Sequence, residues 1–203
     1  PLLLKTRECK PETRNADVAL VIDTSNSMSE RTRPDGPTKL EAAREAARAF
    51  VLQLVPGRDQ AAVVQFNSAA TRVLGLTDDP ARVSAALDTL TQGGGTRIDE
   101  GLDLARGELE GPAHRATNNR VLILLTDGAP SGTTPEAVKA AAARAIAAGV
   151  LVFTIGLGRD LDEALLREIA SRPEWYFAAP DTSDLAAIYA RIVYEIPCKP
   201  EWP

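Results

Sequence analysis

Val121-Leu122-Ile123-Leu124-Leu125-Thr126-Asp127-Gly128 is the stretch on which the fold turns. Five successive aliphatic residues without polar alternation read as a strand covered on both faces, the pattern of a central strand in a parallel sheet. The run stops abruptly at Thr126-Asp127-Gly128, placing a carboxylate just where the apolar segment ends. Ala16 to Ile22 repeats the pattern and runs into Asp23-Thr24-Ser25-Asn26-Ser27-Met28-Ser29.

Outward from these two strands, helical and extended patterns alternate. Thr38-Lys39-Leu40-Glu41 forms a capping box that opens a helix from Lys39 to Val55, stopped by Pro56-Gly57. Strands are expected at 61–66 and 71–76, and their four-residue connection favours an antiparallel hairpin, since a parallel crossover needs many more residues. Helices follow from Asp79-Pro80 to near Thr91 and over 98–109, the second preceded by Gly93-Gly94-Gly95-Thr96. Helix 135–148, strand 150–155, helix 161–170, strand 175–178 and helix 183–193 complete the series. The expected fold is therefore α/β: a doubly wound, mostly parallel six-stranded sheet with a short antiparallel edge strand and helices on both faces. The domain is expected over 16–194, with terminal extensions 1–15 and 195–203.

The chain has 203 residues, 44% of them hydrophobic, enough for one domain with a substantial core. Only 4% are aromatic, so that core must be largely aliphatic. A formal net charge of -5 argues against nucleic acid or an anionic membrane surface as partner, because both would be repelled. No run of 18 or more apolar residues is present, so no membrane insertion by this segment is expected. Leu2 to Leu4 is followed at once by charges and does not read as a signal peptide.

Cys9 and Cys198, the two cysteines, lie almost at opposite ends of the chain, and the one histidine, His114, is remote from both. They read either as a disulfide or as two unrelated thiols. Paired, they would close a loop whose entropic contribution is about 5 kcal/mol and would imply adjacent chain ends and a secreted or cell-surface setting. Unpaired, they leave an intracellular setting open.

In open parallel sheets the loops beyond the strand C-termini form the binding crevice. Asp23, Ser25, Ser27, Thr96 and Asp127 all fall on such loops. Two carboxylates and three hydroxyls form a hard oxygen donor set suited to Mg²⁺, with Mn²⁺ or Ca²⁺ as alternatives. Hydroxyls coordinate without adding charge, so two aspartates leave the cation some attraction for a further carboxylate. The same residues could instead cap loop and helix N–H groups, with no ion involved.

The combination of Asp23-Thr24-Ser25-Asn26-Ser27-Met28, Gly94-Gly95-Thr96 and Thr126-Asp127-Gly128 resembles the von Willebrand factor A domain over almost the whole chain. That resemblance implies a metal-ion-dependent adhesion site. Ser25 and Ser27 would ligate directly, Thr96 directly in at least one binding state, and Asp23 and Asp127 directly or through water. It further implies that an Asp or Glu of a protein partner fills the remaining coordination position. Asn26 stands where such motifs often carry glycine, which bears on loop shape and leaves the five donors intact.

Met28, Asn67, Arg97 and Pro130 are candidate rim residues, each with an ordinary packing, turn or surface role as the alternative. Arg97 is the candidate for binding the second oxygen of an incoming carboxylate. Arg31 and Arg33 read as a solvated loop, His114 as a local packing group, and Trp175 and Tyr176 as cover for the last strand. The expected function is metal-dependent, noncovalent recognition of an acidic protein residue in adhesion or extracellular assembly, without catalysis. A metal-assisted phosphohydrolase and a purely structural module are the alternatives. Against the enzyme stand the missing phosphate-binding glycine loop and the lack of a lysine recognisable beside the metal loops.

Overall fold

The computed structural model describes residues 14–159 and 161–198. Its sheet contains β1 (Ala16–Asp23), β2 (Gln60–Phe66), β3 (Ala70–Thr77), β4 (Asn119–Thr126), β5 (Val150–Leu157) and β6 (Tyr176–Ala179), in the spatial order β3-β2-β1-β4-β5-β6. All pairings are parallel except β2 with β3, the hairpin expected from the short connection. The helices are α1 (Lys39–Val51), α2 (Pro80–Asp88), α3 (Ile98–Glu110), α4 (Pro135–Ala147), α5 (Glu163–Ile169) and α6 (Leu185–Glu195).

Strand periodicity divides the core into two layers. Val18, Leu20 and Ile22 of β1 join Val121, Ile123 and Leu125 of β4 in packing against Leu40, Ala43, Ala47 and Phe50 of α1, with α2 and α6 completing this layer. Ala19, Val21, Leu122 and Leu124 point the other way, toward α3, α4 and α5. Both faces of the central strands are thus buried, which is why their sequences show apolar runs rather than alternation.

Helix α1 begins as its sequence predicts. Thr38 Oγ1 accepts from the Glu41 amide at 3.2 Å, and the Thr38 amide donates to Glu41 Oε2 at 2.8 Å. It ends four residues earlier than Val55. The amides of Gln53 and Leu54 turn back to the carbonyls of Phe50 and Val51, and the Val55 amide donates to Asp59 Oδ2. Pro56 disfavours helical geometry at Val55, and the Asp59 carboxylate supplies an alternative partner for its amide. Asp59 Oδ1 also accepts from the Ala16 amide, so this carboxylate ties the exit of α1 to the start of β1.

At the N-terminal edge of the sheet, Asp17 is fully buried. It accepts from the Arg115 amide at 2.7 Å and from Asn118 Nδ2 at 2.8 Å, while its Oδ2 lies 2.7 Å from His114 Nδ1. His114 is therefore a local packing partner, as the sequence suggests. On the same edge, Asn119 Nδ2 donates to the carbonyls of Asn15 and Pro197, joining the two ends of the described chain. Cys9 lies outside the described residues, and with it the expected pairing to Cys198.

Candidate metal site

The register of β1 against β4 aligns Ile22 with Leu125, so Asp23 and Thr126 end the two central strands together. Thr126 Oγ1 donates to Asp23 Oδ2 at 2.5 Å, and the Ser25 amide donates to Asp23 Oδ1 at 2.7 Å. Asp127 lies one residue farther along. Ser27 Oγ donates to Asp127 Oδ1 at 2.7 Å, spanning 100 residues of sequence, and lies 3.0 Å from Ser25 Oγ. Four of the five expected donors are therefore in one connected cluster.

Thr96 reaches this cluster through its backbone. It exchanges two 3.1 Å hydrogen bonds with Ser131, in the loop after Asp127, while the Gly93 amide donates to the Thr24 carbonyl at 2.9 Å. Its hydroxyl is not part of the hydrogen-bonded chain joining Asp23, Ser25, Ser27 and Asp127. The glycines allow the loop to approach this closely. A Cβ at Gly93 would lie 2.7 Å from Asn67 Nδ2, and Gly95 has a φ of 79° with a Cβ position 3.0 Å from Ser68 Cα.

Asp23 is fully buried, and Ser25, Thr96 and Asp127 are also buried; Ser27 is partly exposed. The cluster consequently opens to solvent beside Ser27. Burial pushes the Asp23 carboxyl up to about 6, reinforced by the nearby charge of Asp127 and opposed by the bonds from Ser25 and Thr126. Because this folded-state value exceeds the ordinary 3.8, the native state holds the proton more tightly than the unfolded chain. In chelator, ionised Asp23 therefore subtracts stability above its folded pKa, and the penalty disappears as pH falls toward the ordinary value. Between roughly pH 7 and pH 5, the metal-free wild type should gain on the order of 1 kcal/mol relative to Asp23→Asn. Parallel pH dependences in denaturant titrations of the two proteins would disprove that assignment.

The donor oxygens stand at ordinary hydrogen-bond distances, which are also close to those of an octahedral edge. Oxygen ligands at about 2.0–2.1 Å from Mg²⁺ stand about 2.9 Å from one another. The Ser25–Ser27 and Ser27–Asp127 oxygen separations, 3.0 and 2.7 Å, bracket that value. Among the described residues, no group of three or more His, Cys, Asp or Glu side chains could hold a metal. Any ion here would depend on the serine and threonine hydroxyls for much of its coordination.

The rim differs from its expected form. Met28 is not a rim residue: it is wholly buried in the α1 layer of the core, because a short 3-10 turn at Asn26–Ser29 directs it inward. Arg97 is held by Asp99 through bonds of 3.0 and 2.9 Å and lies 3.0 Å from Glu100, so its guanidinium is already occupied. Asn67 Nδ2 donates to Thr24 Oγ1 at 3.1 Å, supporting the loops from behind, and Pro130 is partly buried after Asp127. Arg33 pairs with Asp181, while Trp175 stacks on Phe153 in the core with 4.3 Å between ring centroids.

A lysine does stand beside these loops, contrary to the sequence expectation. Lys39 Nζ donates to Asp127 Oδ2 at 2.8 Å and to Glu30 Oε2 at 3.0 Å. Its place was encoded in the capping box: Lys39 is the first residue of a helix whose N-terminus lies at the carboxyl edge of the sheet. Thr126, which orients Asp23, and Ser131, which anchors Thr96, likewise escaped the sequence reading.

The six-stranded doubly wound sheet carries this serine, threonine and aspartate cluster at its carboxyl edge. The family model for the von Willebrand factor type A domain matches residues 17–191, and the chain belongs to that family. Human matrilin-1 is 30% identical over 175 residues, covering 80% of this chain and 32% of matrilin-1. A UPF0353 protein of Mycolicibacterium paratuberculosis is 32% identical over 163 residues, covering 75% of this chain and 48% of that protein. Among solved structures, proximal thread matrix protein 1 from the mussel byssus has a TM-score of 0.79 at 30% identity, covering 95% of this chain and 49% of that one. The same mussel protein has been solved with a zinc-occupied MIDAS motif, with a TM-score of 0.78 to this chain. The chain spans half or less of the length of each of these relatives. No helix among the described residues is long and apolar enough to cross a membrane.

Proposed function

We propose that Asp23, Ser25, Ser27, Thr96 and Asp127 hold a divalent cation, Mg²⁺ first with Mn²⁺ or Ca²⁺ as substitutes, and that an Asp or Glu of a protein partner completes its coordination. The observation that carries this reading is the continuous oxygen path from Ser25 through Ser27 to Asp127, at octahedral-edge spacing and open to solvent beside Ser27. The zinc-occupied motif of the mussel protein supports a divalent ion in this fold. When bound, the cation supplies a Lewis-acid position for the partner's carboxylate. The residues of this chain orient that position and exclude water from its inner side.

The reading extends to adhesion or extracellular assembly, supported by similarity to a matrilin and a byssal thread matrix protein. A Cys9–Cys198 disulfide belongs to the same reading. Asn119 Nδ2 donates to the carbonyls of both Asn15 and Pro197, and this meeting supports the pairing. Noncovalent binding fits the site better than hydrolysis, because both oxygens of Asp23 already accept hydrogen bonds and the carboxylate is too buried to attack a substrate.

The test is capture from an extracellular extract of the native source, using wild type and Asp23→Asn with Mg²⁺ or chelator. The expected result is a partner retained by wild type only when Mg²⁺ is present. Equal specific recovery in chelator, or by the variant, would overturn the mechanism.

A further inference from the structure

Lys39 joins three parts of the site. It begins α1, bonds to Glu30 in the loop after β1, and bonds to Asp127 after β4. Its side chain is 11% exposed and that of Asp127 is wholly buried, whereas the Glu30 side chain is 66% exposed. The Gly158 loop after β5 lies against the same side chain; a Cβ at Gly158 would stand 3.7 Å from Lys39 Cε. The ammonium is therefore largely shielded from solvent and in direct hydrogen-bond contact with a proposed metal ligand.

The two oxygens of Asp127 are divided between different neighbours. Oδ1 faces Ser27 and the cluster, while Oδ2 faces Lys39. This matters for charge: Asp23 and Asp127 together match the formal charge of a divalent cation, so how strongly the site attracts a further carboxylate depends on the other charges nearby. A buried positive charge beside Asp127 restores a surplus, and the low local dielectric keeps that surplus effective. Glu30 offsets it only partly, since an exposed carboxylate is screened by water and salt.

We propose that Lys39 sets the charge of the metal site, weakening its hold on the cation alone and coupling that hold to an incoming anion. The inference rests on the metal-binding reading and adds to it a reason for the site's selectivity. Lys39 acts through Asp127 and the ion, as a positioning and charge-setting residue rather than a ligand. The site then binds metal and acidic partner cooperatively, each strengthening the other by the same factor.

The experiment uses the chain with Mn²⁺ as the probe, titrated calorimetrically in excess chloride or excess acetate at equal ionic strength. Wild type should bind Mn²⁺ more tightly in acetate. Lys39→Met should bind Mn²⁺ alone roughly three- to tenfold more tightly than wild type and lose most of the acetate effect, as expected when a nearby positive charge is removed. Glu30→Gln, altered at an exposed side chain, tests the same idea without disturbing a buried pair. It should shift both quantities the opposite way, with weaker Mn²⁺ binding and a larger acetate effect. Lys39→Arg should retain the acetate effect.

Unchanged Mn²⁺ affinity and acetate response in Glu30→Gln and in a folded Lys39→Met would overturn the charge-setting role. So would loss of Mn²⁺ binding by Lys39→Met with its circular dichroism intact, since Lys39 would then serve only to hold Asp127. Failure of wild type to bind Mn²⁺ would overturn the metal reading itself, and this inference with it. The wild-type titration alone distinguishes that failure from the others.

Discussion

Asp23→Asn should reduce Mg²⁺ affinity by about a hundredfold or more while leaving the domain folded. A unit charge about 4 Å from another contributes roughly 4 kcal/mol at an effective dielectric constant of 20, and a divalent ion feels twice that. Even after substantial compensation by water, loss of this carboxylate should outweigh loss of any single hydroxyl donor. The substitution is nearly isosteric. Asparagine Oδ1 can still accept from the Ser25 amide, and its Nδ2 can donate to Thr126 Oγ1, whose own proton can turn toward the Gly128 carbonyl 3.4 Å away. Because the burial that raises the Asp23 carboxyl is unfavourable to its ionised form, the metal-free variant should melt no lower than wild type at neutral pH. Calorimetry with Mg²⁺, paired with thermal melts in chelator, separates the two effects. Wild-type affinity in a folded variant would eliminate Asp23 from the metal set.

The second large effect is structural. Leu20→Ala should destabilise the domain by about 2–5 kcal/mol, combining lost apolar burial with the cavity left behind. Leu20 is wholly buried in β1, paired with Val63 on one side and Ile123 on the other. Strands hold the backbone from both sides, so the surroundings have little freedom to collapse into the space. The melting temperature should fall by roughly 5–15 °C for a domain of this size. Leu52→Ala is the control, because that leucine is 73% exposed just beyond α1 and should change stability little. A loss below about 1 kcal/mol at Leu20 would contradict the assigned packing.

Much of the architecture was legible because the physical signals were local or periodic. The apolar runs within Ala16–Ile22, interrupted only by Asp17, and at Val121–Leu125 required cover on both faces, and the short connection between the hairpin strands allowed no crossover. The candidate site was legible for the same reason: once those strands are parallel, Asp23 and Asp127 emerge at the same edge. What the sequence did not disclose was side-chain direction within irregular segments. Met28 followed the serines and looked available to a partner, but the short turn buries it. Lys39 showed only as the first residue after a helix cap; its buried partner Asp127 is distant by 88 residues, so no local pattern announced the contact. The early end of α1 depended on another contact across the fold, the Asp59 carboxylate meeting the Val55 amide.

Asn119 also has a mechanical consequence. By joining Asn15 to Pro197 it brings incoming and outgoing chain to a common root, while β1 carries Asp23 roughly 26 Å away at about 3.3 Å per residue. Tension between neighbouring segments would load that root first, and the oxygen cluster would sit at the free tip like a hook on a short stem, outside the direct line of pull.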